Sequence, residues 1–337
     1  MVSIGLIANP ASGKDIRRLV SYATTIGNAE KANILMRIVL AAQQLGVRQF
    51  YLMPDGSNIV DYVIGELKNR NTLPPVMEKL PITLHFNQDD TETAATMMAK
   101  KGVGCIVVLG GDGTSRVAAG CIGETPLLPV STGTNNVYPG FYEGTAVGMA
   151  AAIAADPRYS DRCCIRDKRI EIYRNGVLEE IALIDAVITS DTCVGARAIW
   201  DIDKISHIVV SRASPASIGF SAVAGSITTV MDTDDYGVAV QLGGDDRVLA
   251  PIAAGVLTEV PIAAHRKLCM NEVYTVQIGE SGMVAVDGER QMRVRAGDVL
   301  TFQIRRNGPR RVLVQQAIEL ARDEGMFRRR GRTESRT

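Results

Sequence analysis

The chain has 337 residues, 46% hydrophobic and 22% charged, which reads as globular and exceeds what one ordinary core holds together, so two domains are expected. Its 37 basic and 37 acidic residues cancel to a formal net charge of +0, so no global field draws it to nucleic acid or to a membrane. No apolar run reaches bilayer length, residues 1–5 lack the features of a signal peptide, and the six scattered cysteines form no C-x-x-C pair, which together suit a reduced, cytoplasmic setting.

In chain order, residues 3–8 form a short apolar run stopped by Asn9-Pro10, a first strand. Residues 31–45 carry Ile34, Leu35, Ile38, Val39 and Ala42 at helical spacing. A strand over 50–53 ends at Pro54-Asp55-Gly56, a helix covers 59–67, and a strand covers 82–86. Asp90 or Thr91 can cap a helix running to about Lys100. Residues 105–109 are a fully apolar strand leading into a glycine loop, with a helix from about Ser115, a strand over 127–130 and a helix over 145–155. This alternation predicts an α/β domain over residues 1–155, with a parallel sheet covered on both faces.

The hydrophobic period changes near Asp156-Pro157. Strands over 169–173 and 180–188 flank Asn175-Gly176, a strong hairpin signal. Further short apolar runs over 205–210, 236–242, 274–278, 283–286 and 299–304 predict a β-rich antiparallel domain over 156–311. Residues 312–320 are apolar again and are expected to return to the first domain, leaving a basic, polar tail within 312–337.

The segment Gly110-Gly111-Asp112-Gly113-Thr114 lies between the apolar strand and a helix. In an open α/β sheet, ligands bind beyond the carboxyl ends of the strands. Glycines there admit φ > 0 and let a phosphate approach, and amides at a helix N-terminus favour an anion. An acidic residue does not help a pure phosphate cradle. Asp112 therefore suggests chemistry, either taking a proton from an attacking hydroxyl or holding Mg²⁺, against the plain reading of a helix cap. No G-x-x-x-x-G-K-[ST] occurs, and Arg116 stands where a G-x-G-x-x-G loop needs its last glycine. Gly219-Phe220-Ser221 lacks the final glycine of a nucleophile elbow. His85, His207 and His265 are far apart in sequence and lack metal-ligand spacing, so no residue is assigned to a metal.

Three other clusters sit at turns. Asn9, Ser12, Gly13 and Lys14 follow the first strand and can hold nucleotide phosphates or start a helix. Gly133-Thr134-Asn135-Asn136 ends another strand with more hydroxyls and amides than a turn requires, which suits a sugar or a base. Asp287-Gly288-Glu289 reads as a hairpin turn, and Glu289 can also reach across the domain cleft as a base.

These four clusters, in this order, resemble the NAD kinase/diacylglycerol kinase superfamily over most of the chain. The glycine loop is the most specific match, and residues 7–47 look like the acetoin catabolism protein X, ATP-NAD kinase-like family. The resemblance implies a two-domain fold with its site in the cleft, ATP and Mg²⁺ as cofactors, a small-molecule substrate and a homo-oligomer. It assigns Asp112 and Glu289 to catalysis. Asn9, Ser12, Gly13, Lys14, Gly110, Gly111, Gly113 and Thr114 fall to the nucleotide, and Thr134, Asn135, Asn136, Asp185, Ser217 and Asp287 to the acceptor. The stretch 183–188 departs from the family's Asn-acidic pair by placing Ile184 beside Asp185. The expected activity is ATP-dependent phosphorylation of a hydroxyl of NAD or a related molecule. The alternatives are a lipid or small-diol kinase and a nucleotide-binding sensor without turnover.

Overall fold

The computed structural model describes residues 2–12, 26–133, 136–191 and 201–328. The first half runs β1 (Ser3–Ala8), α1 (Asn28–Gln44), β2 (Gln49–Leu52), α2 (Ile59–Asn69), β3 (Val76–Lys79), α3 (Gln88–Lys100), β4 (Cys105–Gly110), α4 (Asp112–Cys121), β5 (Leu127–Ser131), α5 (Gly144–Ala154), α6 (Pro157–Cys163) and β6 (Cys164–Arg166). Strands β1 to β5 are parallel in the order β3-β2-β1-β4-β5. The central strands β1 and β4 are buried along their whole length. Alternation sorts their side chains. Ile4, Leu6, Cys105, Val107 and Leu109 pack with α1, α2 and α5, whereas Ile7, Ile106 and Val108 pack with Ala94, Ala95 and Met98 of α3 and Ala118 of α4.

The second half contains β7 (Arg169–Arg174), β8 (Val177–Ala182), β9 (Asp185–Thr189), β10 (Ile205–Val210), α7 (Phe220–Gly225), β11 (Tyr236–Ala253), β12 (Val256–Cys269), β13 (Val273–Gln277), β14 (Gly282–Val286), β15 (Glu289–Val294), β16 (Val299–Arg305), β17 (Arg310–Val312) and α8 (Val314–Asp323). Two antiparallel sheets, β12-β11-β10-β9-β14-β15 and β13-β16-β7-β8, face each other. Ile170, Ile172, Phe302 and Ile304 of one meet Ala186, Ile188, Val209 and Val284 of the other. The chain then returns: β17 joins the first sheet between β5 and β6, and Val314, Ala317 and Ala321 of α8 enter its core. This is an α/β parallel-sheet domain followed by a β-rich antiparallel region. Among the described residues no helix is long and apolar enough to cross a membrane.

Five local expectations are corrected. The strand expected over 82–86 is absent, and β3 lies at Val76–Lys79. Phe86 has φ 59, which a strand does not admit, and its amide and that of His85 are taken by the Asp90 carboxylate at 2.8 and 2.7 Å. Asp90 is thus occupied, and Asn87 caps α3 instead, accepting from the Asp89 amide at 2.8 Å. Helix α4 begins at Asp112 rather than near Ser115, which places the acidic residue in its first turn. The run 180–188 is split between β8 and β9, which lie in different sheets. Lastly, β11 does not stop at Leu242: its ladder with β12 crosses Gly243-Gly244-Asp245 through a register shift and continues to Ala253.

Candidate active site

Parallel pairing sets the site. Because β1 lies beside β4 and β4 beside β5, three strand ends open on one edge of the sheet. The side chains that follow them bond to one another. Asn9 Nδ2 donates to Thr114 Oγ1 at 2.9 Å, and the Ser12 and Thr132 hydroxyls share a hydrogen bond of 2.9 Å. Beneath them the fully buried Lys31 of α1 donates from Nζ to the carbonyls of Asn9 at 2.9 Å and Ser12 at 2.8 Å. Its ammonium thereby fixes the backbone after β1. Gly13 and Lys14 lie outside the described residues, as do Thr134 and Asn135.

The loop glycines serve close approach and not positive φ, because none of Gly110, Gly111 and Gly113 is left-handed. A Cβ on Gly110 would sit 2.6 Å from Thr114 Cβ. One on Gly111 would sit 3.0 Å from Asn136 Oδ1, and one on Gly133 would sit 3.0 Å from Asn136 Nδ2. The Asn136 amide is therefore wedged between two glycines, and it donates to Ser131 Oγ at 2.8 Å.

Asp112 opens α4, where the helix dipole favours a negative charge. Its carboxylate accepts from the Val137 amide at 3.1 Å to each oxygen and from the Tyr138 amide at 2.8 Å. It is turned toward the loop after β5 and is not one of the residues lining the cleft described below. That loop is in turn held by the second half of the chain. The buried Tyr138 hydroxyl donates to Asp167 Oδ2 at 2.8 Å, and Arg311 Nε donates to the same oxygen at 2.7 Å. The Arg212 guanidinium lies 4.9 Å from the Tyr138 ring centroid. Burial, then the charge of Asp167, pushes the Tyr138 phenol well above its usual range.

Glu289 reaches the loop from the opposite side. The pairing of Val286 with Glu289 leaves a two-residue turn, with φ 48 at Asp287 and 77 at Gly288, as a tight hairpin of this twist requires. The turn delivers the Glu289 carboxyl over Gly113, where a Cβ would stand 2.6 Å from both Cδ and Oε1. Glu289, Gly113, Thr114, Asn9 and Phe86 line one cleft of about 290 Å³. Among the described residues no group of three or more His, Cys, Asp or Glu side chains is arranged to hold a metal ion. Mg²⁺ needs no such cage, since one or two carboxylates and substrate phosphates suffice, and Glu289 at the cleft fits that part.

Residues 4–159 match the model of the ATP-NAD kinase N-terminal domain, and residues 168–307 that of the acetoin catabolism protein X C-terminal domain. The chain is 35% identical over 313 residues to the acetoin catabolism protein X of Cupriavidus necator, covering 89% of this chain and 87% of that one. The chain belongs to the acetoin catabolism protein X family. In fold it is similar to the crystal structure of yeast NADH kinase complexed with NADH, with a TM-score of 0.53 and 15% identity over 99% of this chain and 90% of that one.

In this acetoin catabolism protein X family member, three residues expected at the acceptor are not among those lining the cleft. Asp287 is buried, and its carboxylate accepts from the amides of Leu183 at 2.9 Å, Ile184 at 2.8 Å and Asp185 at 3.2 Å. Burial pushes Asp287 up to about 6, against the pull of Arg116 and these amides. It stitches the crossing from β8 to β9 and does not line the cleft. Asp185 is buried at the start of β9, and its carbonyl accepts from the Asp287 amide at 2.9 Å. Ser217 closes a turn onto the Ser214 carbonyl at 3.0 Å, away from the cleft lining. Ile184 is a core residue, 1% exposed, in the apolar cluster that contains Ala118 and Tyr138. Lys31, Tyr138, Asp167 and Arg311 escaped the sequence reading, because each acts through a partner distant in the chain.

Proposed function

We propose that this protein transfers the terminal phosphoryl group of ATP to a hydroxyl of NAD or a closely related small molecule. The observation that carries the reading is the glycine loop, with Asp112 held by two amides on one side and Glu289 over Gly113 on the other. On this reading the triphosphate lies in the cleft along Gly113 and Thr114, near the amides that open α4. The acceptor lies on the Asp112 side, against the loop containing Asn136.

Asp112 takes the proton from the acceptor hydroxyl as its oxygen attacks the γ-phosphorus. The bond from that phosphorus to the β–γ bridging oxygen breaks, and ADP leaves. The amides of Val137 and Tyr138 keep the carboxylate aimed, so little ordering remains to be done when the substrates meet. Glu289 would hold Mg²⁺, which when bound neutralises charge on the phosphate oxygens. The relative's name connects its family to acetoin breakdown, and we extend that setting to this chain. The test is transfer of label from γ-³²P-ATP to NAD: label in the dinucleotide supports the reading, and its absence with every nucleotide acceptor tried overturns it.

A further inference from the structure

Phe86 is 78% exposed, and no other large apolar side chain among the described residues is barer. An aromatic ring in water has no structural reason to be held there, yet this one is held. Its backbone has φ 59, a conformation that bulky residues keep only where the surroundings impose it. Here the imposing group is the buried Asp90 carboxylate, which accepts from the amides of both His85 and Phe86. Beneath the ring lies Gly56, where a Cβ would collide with the ring edge. No ring or cation among the described residues stacks on Phe86. It lines the same cleft as Asn9, Gly113, Thr114 and Glu289.

Strained backbone gathers at ligand clamps, and a bare aromatic face stacks on any nucleobase, because every base presents a π surface. From this geometry we infer that Phe86 is the stacking platform for the nucleobase of the nucleoside triphosphate, in the cleft that Gly113 also lines. The inference rests on the kinase reading for which nucleotide is meant, but it concerns binding alone. Asp90 sets the ring's direction and Gly56 leaves it room. The sequence does not carry the second relation, since Gly56 and Phe86 lie in different loops.

Calorimetric titration of the full chain with ATP and with inorganic tripolyphosphate, in the presence of Mg²⁺, tests it. Phe86→Ala should weaken ATP binding by roughly ten- to a hundredfold and leave tripolyphosphate unchanged, because only the base is lost. Phe86→Trp should keep the parent affinity. Gly56→Ala, which crowds the ring without touching its chemistry, should weaken ATP in the same selective way. Unchanged ATP affinity in Phe86→Ala overturns the inference, as does an equal loss for both ligands or a parent protein that binds no ATP. If the parent binds ATP with this selectivity but phosphorylates nothing, the kinase reading falls and the platform stands. If the parent transfers phosphate while Phe86→Ala binds ATP unchanged, the platform alone falls.

Discussion

Gly113→Ala separates stability from activity at a single atom. Gly113 is the second residue of α4 and its φ is not left-handed, so alanine suits the backbone. Removing glycine from a helix stabilises by up to about 1 kcal/mol, less near the end than in the interior. The new Cβ would stand 2.6 Å from the Glu289 carboxyl carbon and one of its oxygens, and 3.0 Å from the other. The carboxyl is the far end of a flexible side chain, so it retreats by close to an ångström at little cost to the fold. A misplacement of that size can lower turnover by roughly a hundredfold. The expected result is a melting temperature at or slightly above the parent's, with kcat for NAD phosphorylation down by about two orders of magnitude. Rates follow from coupled ADP release, and stability from thermal denaturation by circular dichroism. In a Glu289→Ala background the same substitution should change little, since nothing remains to displace. A Gly113→Ala protein as active as the parent, or one that loses the same factor in the Glu289→Ala background, would refute the placement of Glu289.

Other outcomes follow from the buried polar groups. Asp287 is raised from 3.8 to about 6, so between those values the folded state holds more protons than the unfolded chain and stability falls as pH rises. Two pH units correspond to about 3 kcal/mol; denaturant titrations should show the parent losing about that much relative to Asp287→Asn between pH 4 and 7, and parallel curves would contradict it. Tyr138→Phe removes a donor from the buried Asp167 and should cost roughly 1–3 kcal/mol. Because the amides of Val137 and Tyr138 orient Asp112, the same variant should lower kcat more than it raises KM for NAD. A change confined to KM would remove Tyr138 from the positioning of Asp112.

The sheet and the loop were legible because local pattern encodes them. An apolar run such as 105–109 has one use in an α/β chain, and Asp287-Gly288 between two strand patterns has one common geometry. Strand β3 escaped because Val-Met-Glu-Lys sits at an edge, half-buried to exposed, and carries no apolar signature. The β11–β12 ladder was cut short because Gly243-Gly244-Asp245 has the composition of a turn, whereas long-range pairing with β12 carries the strand through it. The loop glycines admit φ > 0 and a close approach; the structure does not use the first, and the neighbours they make room for, Thr114, Asn136 and Glu289, show only in three dimensions. Tyr138 and Asp167 are 29 residues apart, and Asp167 and Arg311 are 144 apart. No periodicity reports such pairs. Asp287 is legible as a turn residue, but its carboxylate binds the amides of a segment more than 100 positions earlier, which no turn pattern reports.

The most direct measurement compares the parent with Asp112→Asn in phosphoryl transfer from γ-³²P-ATP to NAD. Asparagine keeps one oxygen for the Val137 and Tyr138 amides but cannot take a proton, so the fold and ATP binding should persist. General base catalysis contributes roughly 10²–10⁴-fold, and kcat should fall by at least the lower figure, with ATP affinity by calorimetry within a few-fold of the parent's. An Asp112→Asn protein that transfers label to NAD at the parent rate would contradict the central claim.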